Sequence, residues 1–305
     1  MIQDLRLAAL RRFAIAISVL NIFGHALLGF EQSLAQLFAS LATAYSVELL
    51  LEVIEARVNG RRPRFAGGLK TFIDFLLPSH ITGLAVAMLL YANDQILPIV
   101  FAATVAIGSK SIFRAQTGRG ERHFFNPSNF GIAVTLIVFP WIGIAPPYQF
   151  TENLTGVAYV ILPCIFIFTG TLLNAKFTRR VPLIIAWVGG FALQAVIRNL
   201  IFETSLTGGL APMTGVAFLL FTFYMVTDPG TTPTKLLNQV LFGLGVAFSY
   251  SALMILHVSY GLFFALVIVC AVRGSGLLFA TRRVRPATKL PVTEPAPVAL
   301  REAEI

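Results

Sequence analysis

The chain has 305 residues, of which 56% are hydrophobic and only 12% charged, and its mean hydropathy is +0.79. Soluble domains carry about 25% charged residues, so this balance leaves no room for a large soluble domain. The net charge of +9 invites a nucleic-acid reading, but the placement of the charges along the chain gives it a different meaning.

Apolar runs long enough to cross a bilayer recur along the chain, which predicts an all-α polytopic membrane protein. The N-terminal MIQDLRLAALRRFAIAIS resembles a signal peptide in outline. It has no small-residue cleavage site and its apolar run continues to Phe30, so a retained first span is expected. Ten spans are predicted, at 13–30, 33–54, 71–92, 95–113, 127–144, 154–174, 181–201, 207–226, 236–256 and 260–279. With the N-terminus inside, every one of the 23 lysines and arginines except Arg198 falls in a cytoplasmic segment. The outer loops carry Glu31, Asp94, Glu152 and Glu203 instead. Such alternation follows the positive-inside rule, so the basic excess sets topology and does not argue for nucleic acid. It also puts both termini on the cytoplasmic side of a bacterial-type inner (plasma) membrane. Residues 1–280 form one membrane domain, and 281–305, with basic residues and prolines but no apolar run, reads as a disordered tail. Cys164 and Cys270 lie in apolar runs without metal-ligand spacing and read as buried bystanders.

Within this frame a few residues could carry chemistry. Glu48, Glu52 and Glu55 form one stripe of span two, and intramembrane carboxylates mark ion or proton paths. Glu48 is the deepest of the three by position; its alternative role is to pair with Arg57 or a neighbouring hydroxyl. His80, after Pro78, reads as a satisfied packing residue, and the four histidines show no metal spacing. Span three carries Pro78 and Thr82-Gly83, and span eight carries Gly208-Gly209, Pro212 and Thr214-Gly215. The two spans are five apart and therefore antiparallel. That is the pattern of two inverted five-helix repeats, about 10–145 and 150–280, with interrupted helices three and eight lining a midplane site. Between spans four and five lies a basic, Gly-rich loop with Lys110, Arg114, Arg119 and Arg122, which either binds phosphate or is an ordinary cytoplasmic loop. It ends in Phe125-Asn126-Pro127, where a helix should start with Asn126 as cap. Asp228 of Thr227-Asp228-Pro229 should cap its own turn. The Asn126 and Asp228 loops fall on the same side, so they could together floor one pocket.

These two punctuation marks carry a resemblance. Gly108-Ser109-Lys110 leading through Arg119-Gly120 to Phe125-Asn126-Pro127, and Met225-Val226-Thr227-Asp228-Pro229 leading to Thr232-Pro233, resemble the membrane subunit family shared by the Rnf electron-transport complex (RnfD) and the sodium-pumping NADH:quinone oxidoreductase (NqrB). The wording HFFNPSNFG and LLPSHITGLAVAMLLY is most similar to a stand-alone branch of enediyne biosynthesis proteins (UnbU-like). The resemblance implies a ten-helix bundle of inverted repeats that binds FMN or riboflavin and passes electrons, with other membrane redox subunits or a second copy as partners. Relatives attach FMN to a threonine of a Ser/Thr-Gly-Ala-Thr motif; this chain has none, and Thr232 in Gly230-Thr231-Thr232-Pro233 is an imperfect echo. A non-covalent flavin is therefore expected near Thr82, Gly83, Thr214 and Gly215, with Lys110, Asn126, Thr227 and Asp228 at its polar tail. The rival reading is a cofactor-free transporter or channel built on the same bundle, using Glu48.

Overall fold

The computed structural model describes residues 2–117 and 120–284. Gly118, Arg119 and the expected tail from 285 onward lie outside the described residues. The first eight helical elements run in chain order as α1 (Ile2–Phe23), α2 (Leu34–Val58), α3 (Leu69–Leu89), α4 (Leu97–Ile112), α5 (Pro127–Val138), α6 (Val157–Leu173), α7 (Val181–Phe202) and α8 (Leu206–Leu210). Then follow α9 (Val216–Leu220), α10 (Leu236–Ile255) and α11 (Gly261–Val284). The chain is thus mostly helical, and among the described residues seven helices are long and apolar enough to cross a membrane. The bent pair Leu206–Thr214 and Val216–Met225, which turns by 66°, makes an eighth apolar unit of that length if it is counted as one span.

The expected fourth and fifth spans are short. At about 1.5 Å per residue, the 16 residues of α4 and 12 of α5 extend about 24 and 18 Å, below the roughly 30 Å of bilayer hydrocarbon. They pack on each other closely, because a methyl on Gly131 of α5 would run into the Ala102 carbonyl of α4. Between them the basic loop is a hairpin, β2 (Arg114–Thr117) with β3 (Gly120–His123), paired from Arg114 opposite His123 to Thr117 opposite Gly120. Beyond α5 the chain makes a turn at 139–142, closed by the Ile142 amide on the Phe139 carbonyl at 3.1 Å, before β4 (Gly143–Ile144) pairs antiparallel with β1 (Leu90–Tyr91).

Local sequence accounts for the helix starts. Ser33 and Gln36 form a reciprocal capping box at α2. Asn126 caps α5 by accepting from the Asn129 amide at 3.1 Å, with Pro127 at the first helical position, as the sequence reading expects. By contrast α3 runs unbroken through Pro78, so the interruption expected in span three is absent. The turn around Pro78 is held by Thr82, whose hydroxyl donates to the Pro78 carbonyl at 2.8 Å. Neighbouring helices and side chains can absorb a proline in this way inside a membrane bundle. The interruption in span eight is real: Gly215 is extended (φ −87°, ψ 144°) between the turn Ala211–Thr214 and α9.

The helices pack in recurrent pairs. α2 lies on α3 and α4, α7 on α8 and α10, α4 on α5, α10 on α11, α1 on α3 and α6 on α9. α1 ends in a π turn, Gly24–Leu28, closed by left-handed Gly29; α6 ends in a π turn, Asn174–Thr178, closed by left-handed Arg179. In both turns the residue after the left-handed one also donates to the first π residue, Phe30 to Gly24 and Arg180 to Asn174.

Candidate functional site

The break in span eight opens one wall of a cavity of about 340 Å³. Pro212, Thr214, Gly215, Phe218 and Phe221 form that wall. Tyr159 and Pro163 of α6, Phe263 of α11, Leu89 at the end of α3, and Tyr148 and Phe150 of the 144–151 loop complete it. The lining is apolar and aromatic; its hydroxyls are those of Tyr148, Thr151, Tyr159 and Thr214, and it contains no lysine, arginine or histidine. Thr214 donates to the Ala211 carbonyl at 2.8 Å, and the Gly215 amide donates to Pro212 at 3.1 Å. α9 begins after extended Gly215 with no side-chain cap, so its first amides lack the usual capping partner.

Met225 lines the cavity toward the hairpin end, and its carbonyl accepts the Asn126 Nδ2 at 3.2 Å. That bond joins the two loops singled out by the sequence. Asp228 closes the expected Asx turn, accepting from the Gly230 amide at 2.9 Å and the Thr231 hydroxyl at 3.1 Å. Thr227 is buried and donates to the Phe223 carbonyl at 2.6 Å. Two arginines clasp this loop from other helices. Arg180, only 3% exposed, donates Nε to the Thr232 hydroxyl at 2.8 Å, and Arg273 donates to the Thr231 carbonyl at 2.6 Å. The Thr232 hydroxyl is itself buried and donates to the Asp228 carbonyl at 2.6 Å. Sequence reading assigns neither arginine a role in the site; Arg180 is set apart by its burial, and Arg273, which is only half-buried, by its bond to the loop.

The remaining expected site residues lie elsewhere. Thr82 and Gly83 do not line the cavity. Gly83 is a contact point of α3 with α2: the Ser40 hydroxyl donates to its carbonyl at 2.7 Å, and Ala44 and Leu41 crowd its α-carbon. Lys110 is bound to Glu48 at 2.5 Å, so the partner of Glu48 is neither Arg57 nor a hydroxyl. The less accessible carboxylate is Glu52, whose side chain is 1% exposed against 17% for Glu48. The 59–68 loop folds back over α2, so that the Arg61 and Arg64 guanidiniums and the Arg64 amide all donate to Glu52. Its bond to Glu52 raises the Arg61 pKa above the ordinary guanidinium value. His80 is satisfied on both ring nitrogens, by Ser18 at 2.7 Å and Tyr45 at 2.6 Å, as expected for packing. Cys270 is buried, but Cys164 faces outward from α6, against the expectation for it. Among the described residues no group of His, Cys, Asp and Glu could hold a metal.

No protein family and no curated protein matches this chain.

Proposed function

We propose that this chain is a multi-pass membrane electron-transfer protein of the RnfD/NqrB type that holds a non-covalent flavin in the cavity beside Gly215. One observation carries the reading: an aromatic cavity of about 340 Å³ lies against a broken span and touches, through Met225, the junction of the Asn126 and Asp228 loops. Small-molecule sites begin at about 300 Å³ and combine apolar walls with a few polar groups, which fits a planar ring with donors and acceptors on its edge. Main-chain groups released at the break are natural partners for that edge, since a polar group in hydrocarbon costs several kcal/mol if unpaired. With no cation in the lining, the site suits uncharged riboflavin better than FMN. Thr232, buried and bonded twice, is a poor attachment point, which agrees with the missing flavinylation motif. A bound flavin would supply the redox chemistry; the chain's own residues hold and seal it.

The architecture that goes with this reading is ten crossings in two inverted repeats, with α1 to α5 answering α6, α7, α8–α9, α10 and α11. Support comes from the recurrent helix pairs and from the matching π turns at the ends of α1 and α6. Both termini are cytoplasmic in an inner (plasma) membrane, and membrane redox subunits or a second copy are the expected partners. The rival transporter reading rests on Glu48, and the bond to Lys110 gives that carboxylate a structural partner.

The test is an absorbance spectrum of the detergent-purified protein, followed by acid precipitation. We expect a flavin spectrum and riboflavin released to the supernatant. Gly215→Leu should fold and lose the colour, because Gly215 lines the cavity and an added β-carbon there meets only the Pro212 carbonyl oxygen at 3.5 Å. A colourless wild-type protein that takes up no added riboflavin would overturn the assignment.

A further inference from the structure

Behind the Leu89 and Phe150 wall of the cavity, at the far end of the bundle, three buried carboxamides approach one residue, Met88, and the half-buried His25 adjoins one of them. Gln32 and Gln149 both donate Nε2 to the Met88 carbonyl, each at 3.1 Å. Asn21 donates Nδ2 to the Ile17 carbonyl at 2.8 Å and approaches the Met88 sulfur at 4.0 Å. One turn along α1, His25 Nδ1 lies 2.9 Å from the Asn21 carbonyl. A carbonyl only accepts, so Nδ1 donates this bond, and in the tautomer protonated there Nε2 is an acceptor.

The balance of donors and acceptors here is one-sided. Asn21 Oδ1, Gln32 Oε1, Gln149 Oε1 and His25 Nε2 are all buried without a protein partner, whereas the amide nitrogens of the three carboxamides are all bonded. Asn21, Gln32 and Gln149 are 2%, 3% and 0% exposed, so bulk solvent does not reach them. Both glutamine carboxamides are bonded through Nε2 to the same Met88 carbonyl, which anchors the two side chains side by side. The rings of Phe30 and Phe150 close the patch: Phe30 meets His25 at 5.6 Å and Phe150 at 5.2 Å between centroids. A buried acceptor left unmatched costs about 1–3 kcal/mol, and four of them in one patch call for a shared donor.

We propose that this patch is a built site for a small guest that donates several hydrogen bonds, a water molecule or an ammonium ion. No carboxylate is present to hold a divalent cation, and the imidazole nitrogen among the acceptors is matched by an N–H or O–H donor rather than by an oxygen-preferring alkali ion. The aromatic rim would also favour a compact cation over an anion. The site does not depend on the flavin reading and is tested separately from it.

The experiment uses the full chain in detergent micelles or nanodiscs. An experimental density map that resolves ordered water should show a peak within hydrogen-bond distance of at least two of the four acceptors. Thermal unfolding in ammonium, sodium and choline chloride at equal ionic strength and pH then identifies the guest. A midpoint raised by ammonium alone identifies that ion; equal midpoints with a peak present identify water. Gln149→Met should fold, because it preserves length and the apolar contacts, and should lose the peak and any ammonium effect. A map in which the carboxamides rotate to satisfy one another with no peak between them would overturn the proposal. So would a midpoint raised by sodium but not by ammonium.

Discussion

Glu52 shows how a residue's energetics depend on which partner is buried. Its carboxylate is inaccessible, whereas the Arg61 and Arg64 side chains are 33% and 56% exposed. Removing the carboxylate frees two arginines that can turn to water or to Glu55, so Glu52→Gln should cost about 1.5–3 kcal/mol, the range for a hydrogen bond to a charged group. Removing both arginine side chains leaves a buried carboxylate with only the Arg64 amide. Stranding a buried charge costs about 3–5 kcal/mol, so Arg61→Ala with Arg64→Ala should be clearly the worse of the two changes. Comparing thermal unfolding in detergent checks the order; equal losses would mean that Glu52 is solvated in the native state. A sequence reading by depth along the helix favours Glu48, because it cannot know that the 59–68 loop folds back and covers Glu52.

At the scale of elements, α4 and α5 form the tightest contact of the first half, and a glycine sets it. A methyl on Gly131 would strike the Ala102 carbonyl oxygen and lie 2.7 Å from the Ala106 methyl. Main chain cannot step aside as a flexible side chain can, so Gly131→Ala should cost about 3 kcal/mol, the upper end for overpacking. Gly108, within α4, has nothing within 4 Å of the same added carbon. There the substitution only narrows the unfolded ensemble and favours helix, so Gly108→Ala should stabilise by about 0.5–1 kcal/mol. Opposite shifts in unfolding midpoint check the pair, and a shift of the same sign at both positions would refute the close approach of α5 to α4 at Gly131. The start of α5 was legible, because Asn-Pro is a local signal that needs no tertiary partner. Its early end was not: the apolar run continues to 144, and only pairing of β4 with β1 draws residues 143–144 into extended chain.

For the whole molecule, the decisive quantity is the number of crossings. Because α5 is too short to span alone, the segment from Arg122 to Glu152 crosses only if the non-helical chain after α5 completes the passage. Single cysteines in a Cys164→Ser, Cys270→Ser background, labelled with a membrane-impermeant reagent, measure this directly. Arg122→Cys and Glu152→Cys should react from opposite sides, and Arg57→Cys should share a side with Arg122→Cys. Labelling of Arg122→Cys and Glu152→Cys from one side would make α4 and α5 a re-entrant pair and remove the inverted repeat.

Composition and charge alternation by themselves determined a helical bundle of many apolar spans, since hydropathy and flanking charge act locally and read out in one dimension. Helix caps and the Asx turn at Asp228 were equally local. Tertiary structure decided everything that depends on two distant residues meeting: that Pro78 is absorbed while Gly215 breaks its span, that Lys110 takes Glu48, and that Arg180 is buried on Thr232. It also decided that the cavity lies beside Thr214 and Gly215 and not beside Thr82 and Gly83. Thr-Gly reads the same in both spans, but in α3 the small residue admits a neighbouring helix, whereas in the broken span no helix fills the space it leaves.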